Sequence, residues 1–261
     1  VIGELSRWCS EDVRVVQQDA IEAVAEGGAL ISTDPPYYDN VGYSDLSDFF
    51  YVWLRHTLAE VLPGSFATLL VPKVAELVAN PYRRGGKDGA REYFESGFRS
   101  VFANARKNAL EEFPIAVYYA FKQSDTNGNE NSSSGWEALL EGLVRGGWSI
   151  TATWPMRSEM ASRMIGYGTN ALASSIVLAL RPRSAAAVPA DRRQFIAELR
   201  RRLTGALEAL QHGSIAPVDL PQAAIGPGMA VFSSYAQVIE ADGTPMTVRS
   251  ALARINEIVD E

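Results

Sequence analysis

Cysteine is nearly missing from this chain: Cys9 is the single one in 261 residues. One thiol excludes an internal disulfide and any cysteine-rich zinc site within the chain. Histidine is almost as scarce. His56 falls on an expected helix and His212 near a helix end, and neither has a nucleophile or metal partner in sequence reach. Both read as structural or exposed, so no metal site is expected. No apolar run approaches the roughly 18 residues of a membrane span, and no membrane partner is expected. No charged-then-apolar leader is visible. These absences point to a cytoplasmic setting. An excess of positive charge is also lacking. The formal net charge of -7 argues against a general nucleic-acid binder, because phosphate contacts need Lys and Arg. A last absence bears on chemistry. A glycine-rich turn after an apolar strand lets the backbone approach a nucleotide-like ligand closely. Gly27-Gly28, Gly85-Gly86 and Gly146-Gly147 all lack that flanking pattern.

What is present is a globular composition, 47% hydrophobic, with material for a sizeable core. The length suits one large domain, or one domain with a small appendage. Short apolar runs predict strands over 13–17, 29–33, 115–121, 148–154 and 174–180. The last two have no strong helix between them and are expected as antiparallel neighbours joined by a long loop. Helical spacing predicts a short helix over 21–25 and longer ones over 45–62, 91–110 and 136–144. In 45–62 the apolar positions Leu46, Phe49, Phe50, Trp53, Leu54, Leu58, Val61 and Leu62 imply a wide buried face. Ser44 or Asp45 can cap its start. Residues 66–79 are ambiguous, with Pro72 interrupting them, and 80–89 read as a glycine-rich loop carrying Arg83, Arg84 and Lys87. Residues 124–135 have no apolar side chain and read as a mobile loop. Strands alternating with helices argue an α/β sheet.

Past Pro182 the character changes. Residues 185–189 look like a linker, a helix follows over 191–211, then a Pro/Gly-punctuated segment and a last helix near 247–259. Two parts are therefore expected: a core over 1–183 and a small helical C-terminal appendage over 190–261. Between Arg181 and Arg202 lie seven arginines, opposed in sequence by Asp191 and Glu198 alone. Such a run is most often a solvated helix face.

The densest chemical signal is Asp34-Pro35-Pro36-Tyr37, placed after the apolar run Ala29-Leu30-Ile31. Alone, the tetrapeptide is equally a plain turn, since Asp-Pro and Pro-Pro are common breakers. At the carboxyl end of a strand it stands where open α/β sheets bind ligands, and Tyr38, Asp39, Asn40 and Tyr43 follow at once. The grouping suits a flat base bearing an exocyclic amine. That nitrogen is a poor nucleophile, because its lone pair is delocalised into the ring. The Asp34 carboxylate and the Pro35 carbonyl can accept its two N–H bonds and free the lone pair. Tyr37 can stack on the base. A base in a duplex must be flipped out to reach such a pocket, or come from a single strand.

The run from Thr33 through Asp34-Pro35-Pro36-Tyr37-Tyr38-Asp39-Asn40-Val41-Gly42-Tyr43 to Phe50 resembles a family of large bacterial adenine-specific DNA methylases, some of which carry a zinc ribbon. Leu70-Val71-Pro72-Lys73, 117–122, 151–157, 168–175 and 224–229 share its general look. The resemblance implies a partial doubly wound, Rossmann-like methyltransferase sheet with an antiparallel last strand. It implies S-adenosylmethionine as cofactor and DNA as partner, as in restriction-modification. It makes Asp34, Pro35, Pro36 and Tyr37 catalytic, with Asp19 and Asp34 near the cofactor. In that family the donor-binding turn lies upstream of the base-binding motif. The chain is therefore expected to correspond to a C-terminal portion, with the missing N-terminal part a possible partner.

Tyr38, Asn40 and Tyr43, together with Arg157, Arg163 and Asn170 from the stretch between the last two strands, are candidate nucleic-acid contacts. That stretch can also be an ordinary hairpin connection. Lys73 and Lys122 are weaker candidates, equally explained by solvent exposure. Cytosine, RNA or a protein glutamine remain alternative amine substrates. A non-catalytic nucleic-acid-binding or assembly module is the rival of another class.

Overall fold

A computed structural model describes residues 15–23, 28–36, 38, 42–119, 131–157, 174–212 and 220–260. The fold is mixed α/β, and the chain divides into two compact units: Val1–Ala23 with Tyr43–Glu76, and Val24–Gly42 with Leu77–Glu261.

In the first unit the main element is α1 (Tyr43–Leu58). Its expected buried face is not buried. Leu46, Phe49, Phe50, Trp53, Leu54, Val61 and Leu62 are all exposed, Trp53 at 67%. The polar face is covered instead. Ser44, Asp48, Tyr51 and Arg55 lie at i, i+4, i+7 and i+11, on one side of a helix. The segment 66–76 runs along that side. Tyr51 donates its hydroxyl to Thr68 O at 2.8 Å, and its ring meets Phe66 at 5.3 Å. Asp48 accepts from Val71 N at 2.9 Å and from Lys73 Nζ at 2.6 Å. These hydrogen bonds, with Lys73 beside it, hold the Asp48 carboxyl below its usual range. Ser44 N donates to Glu76 Oε1 at 2.9 Å, capping the helix from a distant residue. The strand expected over 13–17 does not form over 15–17, where Val15 is 92% exposed. No partner strand lies beside it among the described residues, so its backbone groups have no ladder to join. The helix expected over 21–25 is, over 20–22, only a turn closed by Glu22 N on Asp19 O.

The second unit holds the sheet. Its strands are β1 (Ser32–Thr33), β2 (Ile115–Tyr119), β3 (Trp148–Arg157) and β4 (Ser174–Pro182). Their spatial order is β1-β2-β4-β3. β1 is parallel to β2, and β4 is antiparallel to both β2 and β3. The last strand thus runs against the other three. The strand expected over 29–33 is shortened to Ser32–Thr33. Ala29 makes only an isolated bridge to Ala109. The ladder β2 presents alternates as period 2 requires: Ile115, Val117 and Tyr119 are buried and Tyr118 is exposed. In β4 every residue over 176–180 is buried, as in a strand covered on both faces.

Helix α2 (Lys87–Asn108) sends Ala90, Phe94, Phe98 and Phe102 to the core at four-residue intervals. The Phe94 and Phe98 rings stack at 4.3 Å. Helix α3 (Asn131–Arg145) adds Leu139, Leu140 and Leu143. It starts at Asn131, so the loop expected over 124–135 is corrected for 131–135. The apolar side that begins at Trp136 is buried, and that burial carries the helix one turn into the polar sequence before it. Residues 120–130 lie outside the described residues.

Residues 190–261 pack within this unit. They form β5 (Ala190–Asp191), α4 (Arg192–His212), α5 (Leu220–Ser234), β6 (Val238–Ile239) and α6 (Val248–Asp260). β5 and β6 make a small parallel pair. The Pro/Gly-punctuated segment holds a helix, α5, with Pro227 inside it. An interior proline costs a helix about 3 kcal/mol. Burial of Ala223, Ala224, Met229, Val231 and Phe232 offsets that cost. The glycines have a use. A Cβ at Gly226 would fall well inside Thr153 Oγ1, so only glycine lets α5 lie on β3 here. On β3, Trp148 donates its indole N–H to Phe102 O of α2 at 2.9 Å, while Ser149 Oγ donates to Ser233 O of α5 at 2.9 Å. This strand therefore carries helices on both sides.

Candidate base-amine site

The motif leaves the sheet directly after β1. The chain is held up to that point by ladder bonds: Ala116 N donates to Ile31 O at 3.0 Å, and Thr33 sits opposite Val117. Asp34 then emerges exposed, with Pro35 and Pro36 half-buried behind it. Because β1 and β2 are parallel, Asp34 leaves at the same end of the sheet as Tyr118 and Tyr119. An exposed carboxylate thus stands at a strand end, followed by two prolines that restrict the backbone carrying the neighbouring Pro35 carbonyl. Tyr37, the stacking ring of the expected motif, lies outside the described residues.

Tyr38 is tied to the core. Its carbonyl accepts from Ala79 N at 2.7 Å, and its ring meets Phe94 edge-on at 5.0 Å. Gly135 of α3 permits this approach, since a Cβ there would stand 2.8 Å from Tyr38 Cβ and 3.5 Å from the Tyr119 hydroxyl. Tyr119 in turn packs against Trp136 with ring centroids 5.7 Å apart. The expected nucleic-acid contact at Tyr38 is thus a packing residue that also lines a cavity. The cavity measures about 260 Å³ and is lined by Tyr38, Gly42, Ala79, Asn80, Tyr82 and Lys87 among others. Sequence reasoning passed over Tyr82 and Asn80. The one available signal was an aromatic side chain inside a glycine-rich basic loop.

The other expected residues are scattered. Asp19 lies in the first unit, exposed in a turn where its Oδ1 accepts from Ile21 N at 2.9 Å. Tyr43 opens α1, also in the first unit. Arg157 is the last residue of β3, opposite Ser174. Asn40, Arg163, Asn170 and Lys122 lie outside the described residues. Lys73, a weaker candidate, is bound to Asp48 in the first unit. His56 is exposed on α1. Among the described residues, no group of His, Cys, Asp and Glu could hold a metal, and no helix is long and apolar enough to cross a membrane.

Several of the seven arginines have structural partners. Arg183 donates to Val144 O at 2.6 Å and Tyr235 O at 3.2 Å, and burial lowers its pKa. Arg181 donates to Glu112 O at 3.0 Å. Arg192 lies 3.6 Å from Glu240. Arg201 and Arg202 both hydrogen-bond Glu198, and they pull its carboxyl down to about 2.

The chain matches no family model, no curated protein and no solved structure.

Proposed function

We propose that this protein holds the exocyclic amine of adenine in DNA for methylation, acting as an S-adenosylmethionine-dependent amino-methyltransferase. The observation that carries the reading is the position of Asp34-Pro35-Pro36. It lies at the carboxyl end of β1, the parallel neighbour of β2, where open α/β sheets take their ligands. The antiparallel strand β4, set between β2 and β3, also fits the partial Rossmann-like sheet that the family resemblance implies. Asp34 accepts one amine N–H and the Pro35 carbonyl the other, drawing the nitrogen toward tetrahedral geometry. Holding the amine in this attitude supplies acceleration through positioning. Tyr37 would stack on the base.

S-adenosylmethionine would supply the methyl group. Asp19 and Asp34 are the candidate contacts for it among the described residues. Two exposed carboxylates without a glycine cradle do not make a donor site. What this chain's own residues supply is the grip on the amine.

The test is methylation of DNA followed by mass spectrometry of its nucleosides. Asp34→Ala and Asp34→Asn should abolish N6-methyladenine formation, and unchanged methylation would overturn the assignment. Appearance of a methylated cytosine instead would move the substrate and keep the mechanism. The missing glycine cradle favours a second reading, a non-catalytic nucleic-acid-binding or assembly module of a larger modification protein. Calorimetry with S-adenosylmethionine separates the two: micromolar binding favours the enzyme, and no heat favours the module.

A further inference from the structure

We propose that the loop 80–87 is a second nucleic-acid contact, in which Tyr82 stacks on the base beside the target base of a single DNA strand and Lys87 meets the phosphate. This rests on the reading of the motif as a base-amine site.

One cavity is lined both by Tyr38, the residue directly after the motif, and by Tyr82 and Lys87. Its volume of about 260 Å³ falls just under the range of about 300–1,000 Å³ typical of whole-ligand pockets. It suits one planar ring system rather than a complete dinucleotide or cofactor. Tyr82 lines it and is 98% exposed. A single exposed ring is ordinary on a surface. An exposed ring that lines one cavity with Tyr38, the residue directly after the motif, can serve as a stacking platform.

The rigidity is built from the backbone. Asn80 Oδ1 accepts from Tyr82 N at 3.0 Å, and Asn80 O from Arg83 N at 3.1 Å. Gly86 N then donates back to Pro81 O at 2.9 Å. Gly85 and Gly86, at φ 70 and 113, allow the chain to double back into α2, a conformation side chains resist. The backbone that carries Tyr82 is therefore fixed beside the cavity, and stacking costs only the freedom of the side chain itself.

Charge completes the lip. The Arg84 guanidinium lies 3.4 Å over the Tyr93 ring and is engaged within the protein. Asp88, the nearest acid in sequence, pairs with Arg91 at 3.0 Å. Lys87 is exposed at the cavity rim. The net charge of -7 favours local contacts of this kind over a broad basic groove.

The experiment is fluorescence anisotropy with a fluorescein-labelled single-stranded adenine-containing oligodeoxynucleotide of about a dozen nucleotides, within the span single-strand sites cover. Tyr82→Ala should weaken binding between about fivefold and a hundredfold, the loss of one base–aromatic stack. Tyr82→Phe and Tyr82→Trp should keep it. Lys87→Gln should flatten the slope of log affinity against log salt by about 0.7, one phosphate contact on a single strand. Because Tyr82 is bare, the variants should keep the parent circular dichroism and melting temperature. Affinity within twofold of the parent for Tyr82→Ala, no binding by the parent, or tighter binding of the matching RNA would each overturn the proposal. Asp34→Ala separates it from the motif reading. That variant should lose methylation and keep strand binding. If it keeps methylation while Tyr82→Ala still loses binding, the strand contact stands and the amine site falls.

Discussion

Replacing Gly226 by alanine should destabilise the protein, although alanine is the better helix former. The new methyl would lie 2.5 Å from Cβ and Cγ2 of Thr153 on β3, and closer still to its Oγ1. Thr153 is β-branched and stiff at χ1, so it cannot swing clear. Its Cβ is fixed to a strand paired with β4 at Leu178. Overpacking costs about 1–3 kcal/mol in typical cores. Three close atoms on a fixed strand place this site at or above the upper end. The intrinsic preference of helices for alanine over glycine returns about 1 kcal/mol. The net loss is then about 2 kcal/mol, or a fall of ~4–8 °C in melting temperature for a unit of this size. Thermal unfolding followed by circular dichroism reads it directly. Thr153→Ala removes Oγ1 and Cγ2 and leaves Cβ, so it should rescue part of the loss and not all. A coupling of about 1 kcal/mol, in the range seen for touching residues, is expected in the double-mutant cycle. A Gly226→Ala variant that melts at or above the parent temperature would refute the packing of α5 on β3. Strict additivity with Thr153→Ala would do the same.

Two other perturbations test the arginine contacts at the start of the C-terminal segment and within α4. Arg183→Ala removes two charge-assisted bonds to Val144 O and Tyr235 O. It should lower stability by about 1.5–3 kcal/mol, nearer the lower figure because the side chain is half-exposed, read as a shifted urea midpoint with an unchanged slope. Glu198 has its folded pKa depressed from 4.5 to about 2 by hydrogen bonds from Arg201 and Arg202. A depressed carboxylate contributes stability that is present above its unfolded value and is lost as pH falls through the folded one. The contribution should fade between pH 4.5 and about 2 and be absent in Glu198→Gln. A carboxyl NMR titration placing Glu198 near 4.5 would count against these ion pairs.

Different parts of this chain were legible for different physical reasons. Where one side-chain period and one partner coincide, the sequence is a good guide. Phe94, Phe98 and Phe102 fall in the helix expected over 91–110, and the alternating β2 in the strand expected over 115–121. Periodicity says which residues share a face, and nothing about what will cover it. In α1 the apolar face is as expected, yet the segment 66–76 takes the opposite face, because Ser44, Asp48 and Tyr51 offer it specific hydrogen bonds. Breakers mislead for the opposite reason. Gly226, Pro227 and Gly228 read as the end of any helix. In α5, however, the missing side chains permit contact with Thr153 and Ile255, and burial outweighs propensity.

The candidate site shows both limits at once. Asp34-Pro35-Pro36 was legible because a carboxylate and two prolines after an apolar run are informative wherever the strand stops, and β1 could shrink to Ser32–Thr33 without moving them off the sheet's end. Tyr82 was not legible, because what sets it apart is its placement. Only the fold brings an exposed ring and the motif's next residue to the lining of one cavity. A motif suggests a chemistry through residue types, while the neighbours that line a cavity with it come from distant loops. Those neighbours become visible only after the chain has folded.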